Sequence, residues 1–394
     1  MRLPLWVTSV NVLLALALGF LLWHISDRSP VIREVERRFQ DALISAQQRP
    51  RQLPVPVTLI SMEDAENWTA LEYSLFLKAL PKEHPPIVIL ESLPAPGNTA
   101  FDRAFKDLAI RQPRLVLPVR LGWGKEDTED DIWWLKGWNA DPADNSLTPY
   151  GSVSESPPEV LRGTVEVGVA NLANHEDRAT IYFRIGQRNV PSQALRAALL
   201  ARKISVETIH TDNGLLLDDQ RLATDDDASI PVQLGLLPNI RRIDSSDLLL
   251  TLAGEMPPRT KKINADQLQG VLVLGNLAPS ARTIHPHAGV SLTPAEWTAA
   301  TVATICNGAP LTPVGAGARG LIFAGCVLTP LLFLRRPGVD RWFGFIVTLG
   351  FYLLAGTWLA GGYSLALPIF LPFFVLLFGT ALHHLALLLS QRYE

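Results

Sequence analysis

Three carboxylates stand where two apolar runs stop. Glu63 and Asp64 follow Val57-Thr58-Leu59-Ile60-Ser61, and Glu91 follows Pro86-Ile87-Val88-Ile89-Leu90. If both runs are neighbouring strands of a parallel sheet, the three acids gather at its carboxyl edge, where open α/β sheets bind ligands. Such a group would hold a cation or a basic ligand group. The same residues would otherwise cap helices or pair with arginines. His285-Pro286-His287 sets two imidazoles two residues apart. A metal could use that pair, but the neighbouring sequence offers no cysteine or third histidine to complete a site. Asp225-Asp226-Asp227 reads as a solvated turn, with calcium binding as the alternative. His383-His384 lies in an apolar C-terminal stretch, where ionisable groups serve proton transfer or partner-helix contact. No G-x-S-x-G elbow, P-loop, H-E-x-x-H or zinc pair occurs. Catalytic residues, a metal and a cofactor are therefore not expected, and an enzyme is the weaker class.

Residues 122–158 hold Trp123, Trp133, Trp134 and Trp138 among Glu126, Asp127, Glu129, Asp130 and Asp131, punctuated by prolines. Long insertions in compact domains are often functional. Clustered tryptophans beside acids fit a carbohydrate or cation platform, a surface for a partner protein, or a cover for the domain's own core.

The elements that must position these residues alternate. Val57–Ser61, Pro86–Leu90 and Leu115–Val119 read as strands, and Trp68–Leu80 and Phe101–Ile110 as helices with apolar residues at helical spacing. That βαβαβ order predicts a mostly parallel sheet with right-handed crossovers and helices on its faces. After the tryptophan-rich stretch the rhythm resumes. Ile181–Ile185 reads as a strand, Ser192–Lys203 as a helix, and Leu215–Leu217, Ile230–Leu234 and Ile240–Ile243 as short strands. A helix over Leu248–Leu252, a buried strand at Gly270–Gly275 and a helix at Pro294–Cys306 stopped by Asn307-Gly308 complete the series. Val31–Ile44 shows helical spacing as well.

The chain has 394 residues, 48% of them hydrophobic and 19% charged, and a formal charge of −3. That is more apolar than a soluble domain needs, and the excess sits at the two ends. Four stretches suit membrane spans: 3–25, 314–334, 341–361 and 364–389. The first is read as an uncleaved anchor because no small-x-small cleavage site follows it. Arg2, Arg335, Arg336, Arg341 and Arg392 then fall on one side, which the positive-inside rule makes cytoplasmic, together with both termini. Only Arg319 lies near the other face. Residues 27–313 are thus expected outside a bacterial inner membrane, carrying 29 Lys and Arg against 36 Asp and Glu. This acidic balance argues against nucleic acid as a partner. The bilayer, a separate signalling or envelope-complex protein and further copies of the chain are the expected partners. Two cysteines, Cys306 and Cys326, fall in separate segments and give no disulfide framework.

The order of elements and several strings resemble the type-two CHASE domain, an extracellular sensing module associated with cyclases and histidine kinases. The likeness runs from the first anchor through the three C-terminal spans. Val190-Pro191-Ser192-Gln193-Ala194-Leu195 is similar to that family's Pro-Ser-x-Ala-Leu helix start. Leu268-Gln269-Gly270-Val271-Leu272-Val273-Leu274-Gly275 is similar to its Leu-x-Gly-x-Val-x-Ile-Gly strand, and Thr304–Gly308 to its closing Leu-Leu-x-Gly. The family's strand-ending acids correspond to the Ile60–Asp64 and Leu90-Glu91 strings. Ala281–His287 lacks the family's Asp and Thr-Pro pair, and Pro294–Ala299 replaces its Gly-Val-x-x-His-Ala. The resemblance implies an extracytoplasmic sensor. Family members commonly continue into a cytoplasmic kinase or cyclase. This chain stops at Glu394, so a partner is expected to carry the output. The alternative is a structural or assembly subunit of an envelope complex.

Overall fold

In a computed structural model, the chain divides into two compact units, Pro50–Pro310 and a second made of Met1–Arg49 with Leu311–Glu394. The structure describes residues 53–307 and 312–392 apart from 63–67, 82–83, 96, 98, 125–130, 141–146, 173–177, 212–214, 218–219, 223, 225–226, 254–262, 279, 282–283, 288–289, 315, 333–337 and 364. Before residue 53 it describes scattered positions, so the 3–25 anchor and the Val31–Ile44 helix lie largely outside the described residues.

The larger unit is mixed α/β. Seven strands make its main sheet: β1 Val57–Ser61, β2 Ile87–Leu90, β3 Leu115–Gly122, β4 Ser152–Glu155, β5 Glu166–Val169, β6 Arg241–Asp244 and β7 Val271–Gly275. The order across the sheet is β6-β1-β7-β2-β3-β5, parallel throughout. β4 adds an antiparallel partner to the last three residues of β3. The expected parallel sheet is therefore present, with one difference of order. β7 comes last in the chain but slots between β1 and β2, so the ends of those two strands lie two strand spacings apart, about 10 Å.

Side chains alternate across the sheet as the period of two requires. Ile60, Val88, Leu90, Leu115, Leu117, Leu272 and Leu274 point to one face. There they meet helices α1 Ala70–Ala79, α2 Thr99–Arg111 and α4 Ser245–Ala253. Leu59, Ile87, Ile89, Val116, Val271 and Val273 point to the other, against α3 Gln193–Arg202 and α5 Pro294–Asn307. Covering both faces explains why the strands read as unbroken apolar runs. Local signals set the helix starts. Thr69 and Glu72 form a capping box on α1, which excludes Trp68 from the helix. Ser192 caps α3 by accepting from Leu195 N at 3.2 Å.

The tryptophan-rich stretch is partly built into this core. Ile132, Trp134, Leu135 and Leu161 pack under α2's face of the sheet. Trp138–Asn139 pairs with Arg188–Pro191, which pairs in turn with Tyr182–Ile185.

The smaller unit holds α6 Ala316–Leu332, α7 Gly338–Tyr363 and α8 Phe370–Arg392. Among the described residues one stretch, Trp342–Leu359 of α7, is long and apolar enough to cross a membrane. α6 has 17 residues, about 26 Å of helix. In α8 the apolar stretch is the shorter Pro372–Leu382. Cys326, Val375 and Leu376 pack together with Ile322, Phe323 and Phe345, joining the three helices. Pro368 precedes α8 and Pro372 falls in its first turn, where no intrahelical N–H is lost.

Candidate functional site

β7 leads to α5 on one face of the sheet, whereas its neighbours β1 and β2 lead to α1 and α2 on the other. Adjacent strands whose connections leave in opposite directions open a crevice at their carboxyl ends. A cleft of about 800 Å³ lies there, within the usual range for small-molecule sites. The ends of β2, β3, β5 and β7 supply its floor through Glu91, Arg120, Asn171 and Asn276. The first turns of α3 and α5 form one wall, with Gln193, Trp297 and Thr298.

Glu91 is the sequence-predicted acid that the fold brings into this cleft. Its Oε2 accepts the Asn276 backbone N–H at 2.9 Å, bridging the ends of β2 and β7. Gly275 makes this possible. A Cβ on residue 275 would fall within the contact radius of Glu91 Oε2 and press on Ala295. Burial pushes the Glu91 carboxyl above the ordinary glutamate range, against the pull of the Asn276 N–H and of the Arg120 charge. Arg120 is itself held by Glu155, at 3.2 Å on a solvent-exposed rim. Tyr73 donates toward the Ser92 carbonyl at 3.2 Å, fixing the turn after Glu91. Burial raises that phenol to about 12.

Three polar side chains shape the remaining floor. Asn171 accepts from Leu121 N at 2.7 Å and donates to Leu121 O at 2.9 Å, pinning the end of β3 to β5. Gln193 Nε2 donates to Leu90 O at 2.8 Å, seating α3 beneath β2. Arg178 donates to Ser229 Oγ at 2.9 Å and to Ser229 O at 3.1 Å. None of these residues was singled out in the sequence. Asn276, Arg120 and Asn171 share one usable signal: each is a polar residue at or just past the end of an apolar strand.

The other candidates separate. Glu63 and Asp64 lie outside the described residues. Because β7 stands between β1 and β2, Glu91 meets the end of β7, where neighbouring β1 and β2 had been expected. Trp134 and Trp138 are 4% and 5% exposed, so they fill the core and present no contact face, which corrects the expectation for these two. Trp134 donates to Asp131 O at 3.0 Å beneath the Arg162 guanidinium. Trp138 packs edge-on against Tyr182. Trp123 and Trp133 are 68% and 64% exposed. Trp123 stacks on Tyr150, with ring centroids 4.4 Å apart. His383 and His384 lie in α8, and His384 is half-buried. Asp227 accepts from Ser229 N at 3.1 Å, as a turn residue does, while Asp225 and Asp226 lie outside the described residues. Among the described residues no three His, Cys, Asp or Glu side chains group as a metal site would need. Comparison with protein families, curated proteins and solved structures finds no match for this chain.

Proposed function

We propose that this chain is a membrane-anchored sensory binding protein. Its extracytoplasmic part, residues 27–313, takes a small ligand in the cleft and passes the bound state to a separate membrane or cytoplasmic partner. The observation that carries the reading is the crevice of about 800 Å³ at the sheet's switch point, with a part-buried carboxylate on its floor. The resemblance to the type-two CHASE domain supports the sensing role. Four spans, at 3–25, 314–334, 341–361 and 364–389, anchor the chain in a bacterial inner membrane with both termini inside. The apolar helix Trp342–Leu359 supports membrane association. α5 lines the cleft, and the chain that leaves it runs on into α6, giving ligand occupancy a covalent path toward the membrane helices.

The second reading is a structural or assembly subunit of an envelope complex, favoured by the exposed indoles of Trp123 and Trp133. Full-length protein purified in mild detergent separates the two. The sensor reading expects a small molecule to raise the melting temperature, and the gain to vanish in Ala170→Trp, which fills the cleft. A stoichiometric partner complex formed equally by wild type and Ala170→Trp, with no compound stabilising either, would overturn it.

A further inference from the structure

Building on the cleft reading, we propose that the ligand is a small organic molecule carrying a primary ammonium group, and that Glu91 seats that group. The Glu91 carboxylate is half used. Oε2 is committed to the Asn276 N–H at 2.9 Å, and Oε1 makes no hydrogen bond among the described residues. A guanidinium fork seeks both oxygens of a carboxylate in parallel. An ammonium needs a single good acceptor and directs its other donors elsewhere. The half-used carboxylate thus fits an ammonium better than a guanidinium.

Three further observations agree. The carboxylate is preset by the backbone, because the missing Cβ at Gly275 leaves it a berth against the end of β7. Preorganised groups bind without an ordering cost. A calcium or magnesium ion would need six or more oxygen ligands, and the described residues supply no acidic cluster at this point. The walls also carry apolar surface from Leu93, Leu121 and Trp297, which suits a carbon skeleton and not a bare ion. Arg120 makes its ion pair with Glu155, at 3.2 Å, and acts on Glu91 through its charge alone. At long range, 36 acidic against 29 basic residues in positions 27–313 favour the approach of a cation.

The test titrates full-length protein in detergent with ethanolamine, glucosamine and cadaverine. Each is set against its uncharged counterpart: ethylene glycol, glucose and 1,5-pentanediol. Methylguanidine and calcium chloride serve as the guanidinium and metal arms. At least one amine is expected to bind about tenfold or more tightly than its counterpart, and Glu91→Gln to remove that advantage. The amide of Glu91→Gln still accepts from Asn276 N–H, so the floor keeps its shape. Glu91→Asp, which keeps the charge but withdraws it, gives an intermediate loss and covers a folding failure of the first variant. The ammonium assignment is overturned if no amine outbinds its counterpart, if methylguanidine or calcium binds more tightly than every amine, or if the Gln variant binds amines like wild type. In those cases any compound whose binding Ala170→Trp abolishes preserves the cleft reading. If Ala170→Trp abolishes nothing, both readings fall.

Discussion

Asn307 grips the backbone of Val55 with both ends of its amide. Oδ1 accepts from Val55 N at 2.6 Å, and Nδ2 donates to Val55 O at 3.0 Å, across 252 residues of sequence. The clamp closes the last turn of α5 onto the segment that leads into β1, so one side chain joins the two ends of the α/β unit. Asn307→Ala removes both bonds and leaves the Val55 groups without partners. A loss of about 2–3 kcal/mol is expected from two such bonds, read as a fall in the urea midpoint of the full-length protein. Asn307→Asp keeps the acceptor and loses the donor, so it should cost less. Equal costs for the two variants would show that the acceptor kept by Asp contributes nothing.

Glu166 and Glu91 give stability opposite slopes with pH. Burial alone would raise the Glu166 carboxyl, but Arg196 and Lys136 hold it below its ordinary value of 4.5. Arg196 is buried and donates to Glu166 Oε2 through both Nε, at 2.9 Å, and Nη2. A lowered folded-state value means that this contribution is complete above pH 4.5 and fades as pH falls through the folded pKa. Glu91 is raised by burial, so its folded form holds a proton that the unfolded chain has released. Stability therefore declines as pH climbs from 4.5 through its folded pKa. Denaturant melts across pH 3–8, an interval of about 5 units around the reference glutamate value, should show Glu166→Gln flattening the acid limb and Glu91→Gln flattening the limb above it. Glu166→Ala should also cost about 3–5 kcal/mol, because it strands a buried guanidinium.

The sheet was legible because burial on both faces writes strands as apolar runs. Val57–Ile60, Ile87–Leu90, Leu115–Val119 and Val271–Leu274 all carry that mark. Strand order was not, since nothing in Val271–Gly275 announces that it separates β1 from β2. That choice is made by packing across more than 180 residues, and it sets Glu91 against Asn276 at the end of β7. Asn307 shows the same limit. Its place before Gly308 reads as a helix stop, whereas its side chain acts on Val55. Trp134 and Trp138 look like Trp133 in composition, and only the tertiary fold separates core indoles from exposed ones.

Gly270 tests the seam at the amino end of β7. Its φ is +81°, and a Cβ would strike the Pro56 carbonyl. That carbonyl accepts the Val271 N–H at 2.9 Å, the first rung between β1 and β7. Gly270→Ala meets an unfavourable backbone region and a clash with main chain that cannot swing away. We expect a loss of about 2–3 kcal/mol in a denaturant melt, with Gly186→Ala, at a φ of +55° but with open space around it, costing less.

The tryptophans divide by burial, and so should their variants. Trp134→Ala and Trp138→Ala each empty a core position and should cost about 3–5 kcal/mol. Trp123→Ala and Trp133→Ala should change stability by about 1 kcal/mol or less, since more than half of each indole already faces solvent. If the envelope-complex reading holds, these last two variants lose the partner in a detergent pull-down while melting like wild type. Retention of the partner by a Trp123→Ala/Trp133→Ala double variant would remove that surface from consideration.

Membrane topology decides whether the cleft faces outward. Trp342 and Trp358 are 16 residues apart on α7, about 24 Å along the helix, which sets an indole near each edge of a hydrocarbon core. Arg335, Arg336 and Arg341 precede that stretch, and Arg392 closes α8. The proposed topology takes both groups as cytoplasmic by the positive-inside rule, which requires α7 and α8 to form a hairpin that crosses twice. Reporters inserted at Gly338 and fused after Glu394 should both be cytoplasmic, and one at Asp130 external. Reporters at Gly338 and Glu394 on opposite sides would mean that α8, whose apolar stretch covers only Pro372–Leu382, does not cross. A cytoplasmic signal at Asp130 would move the cleft inside the cell and end its reading as a sensor of the envelope.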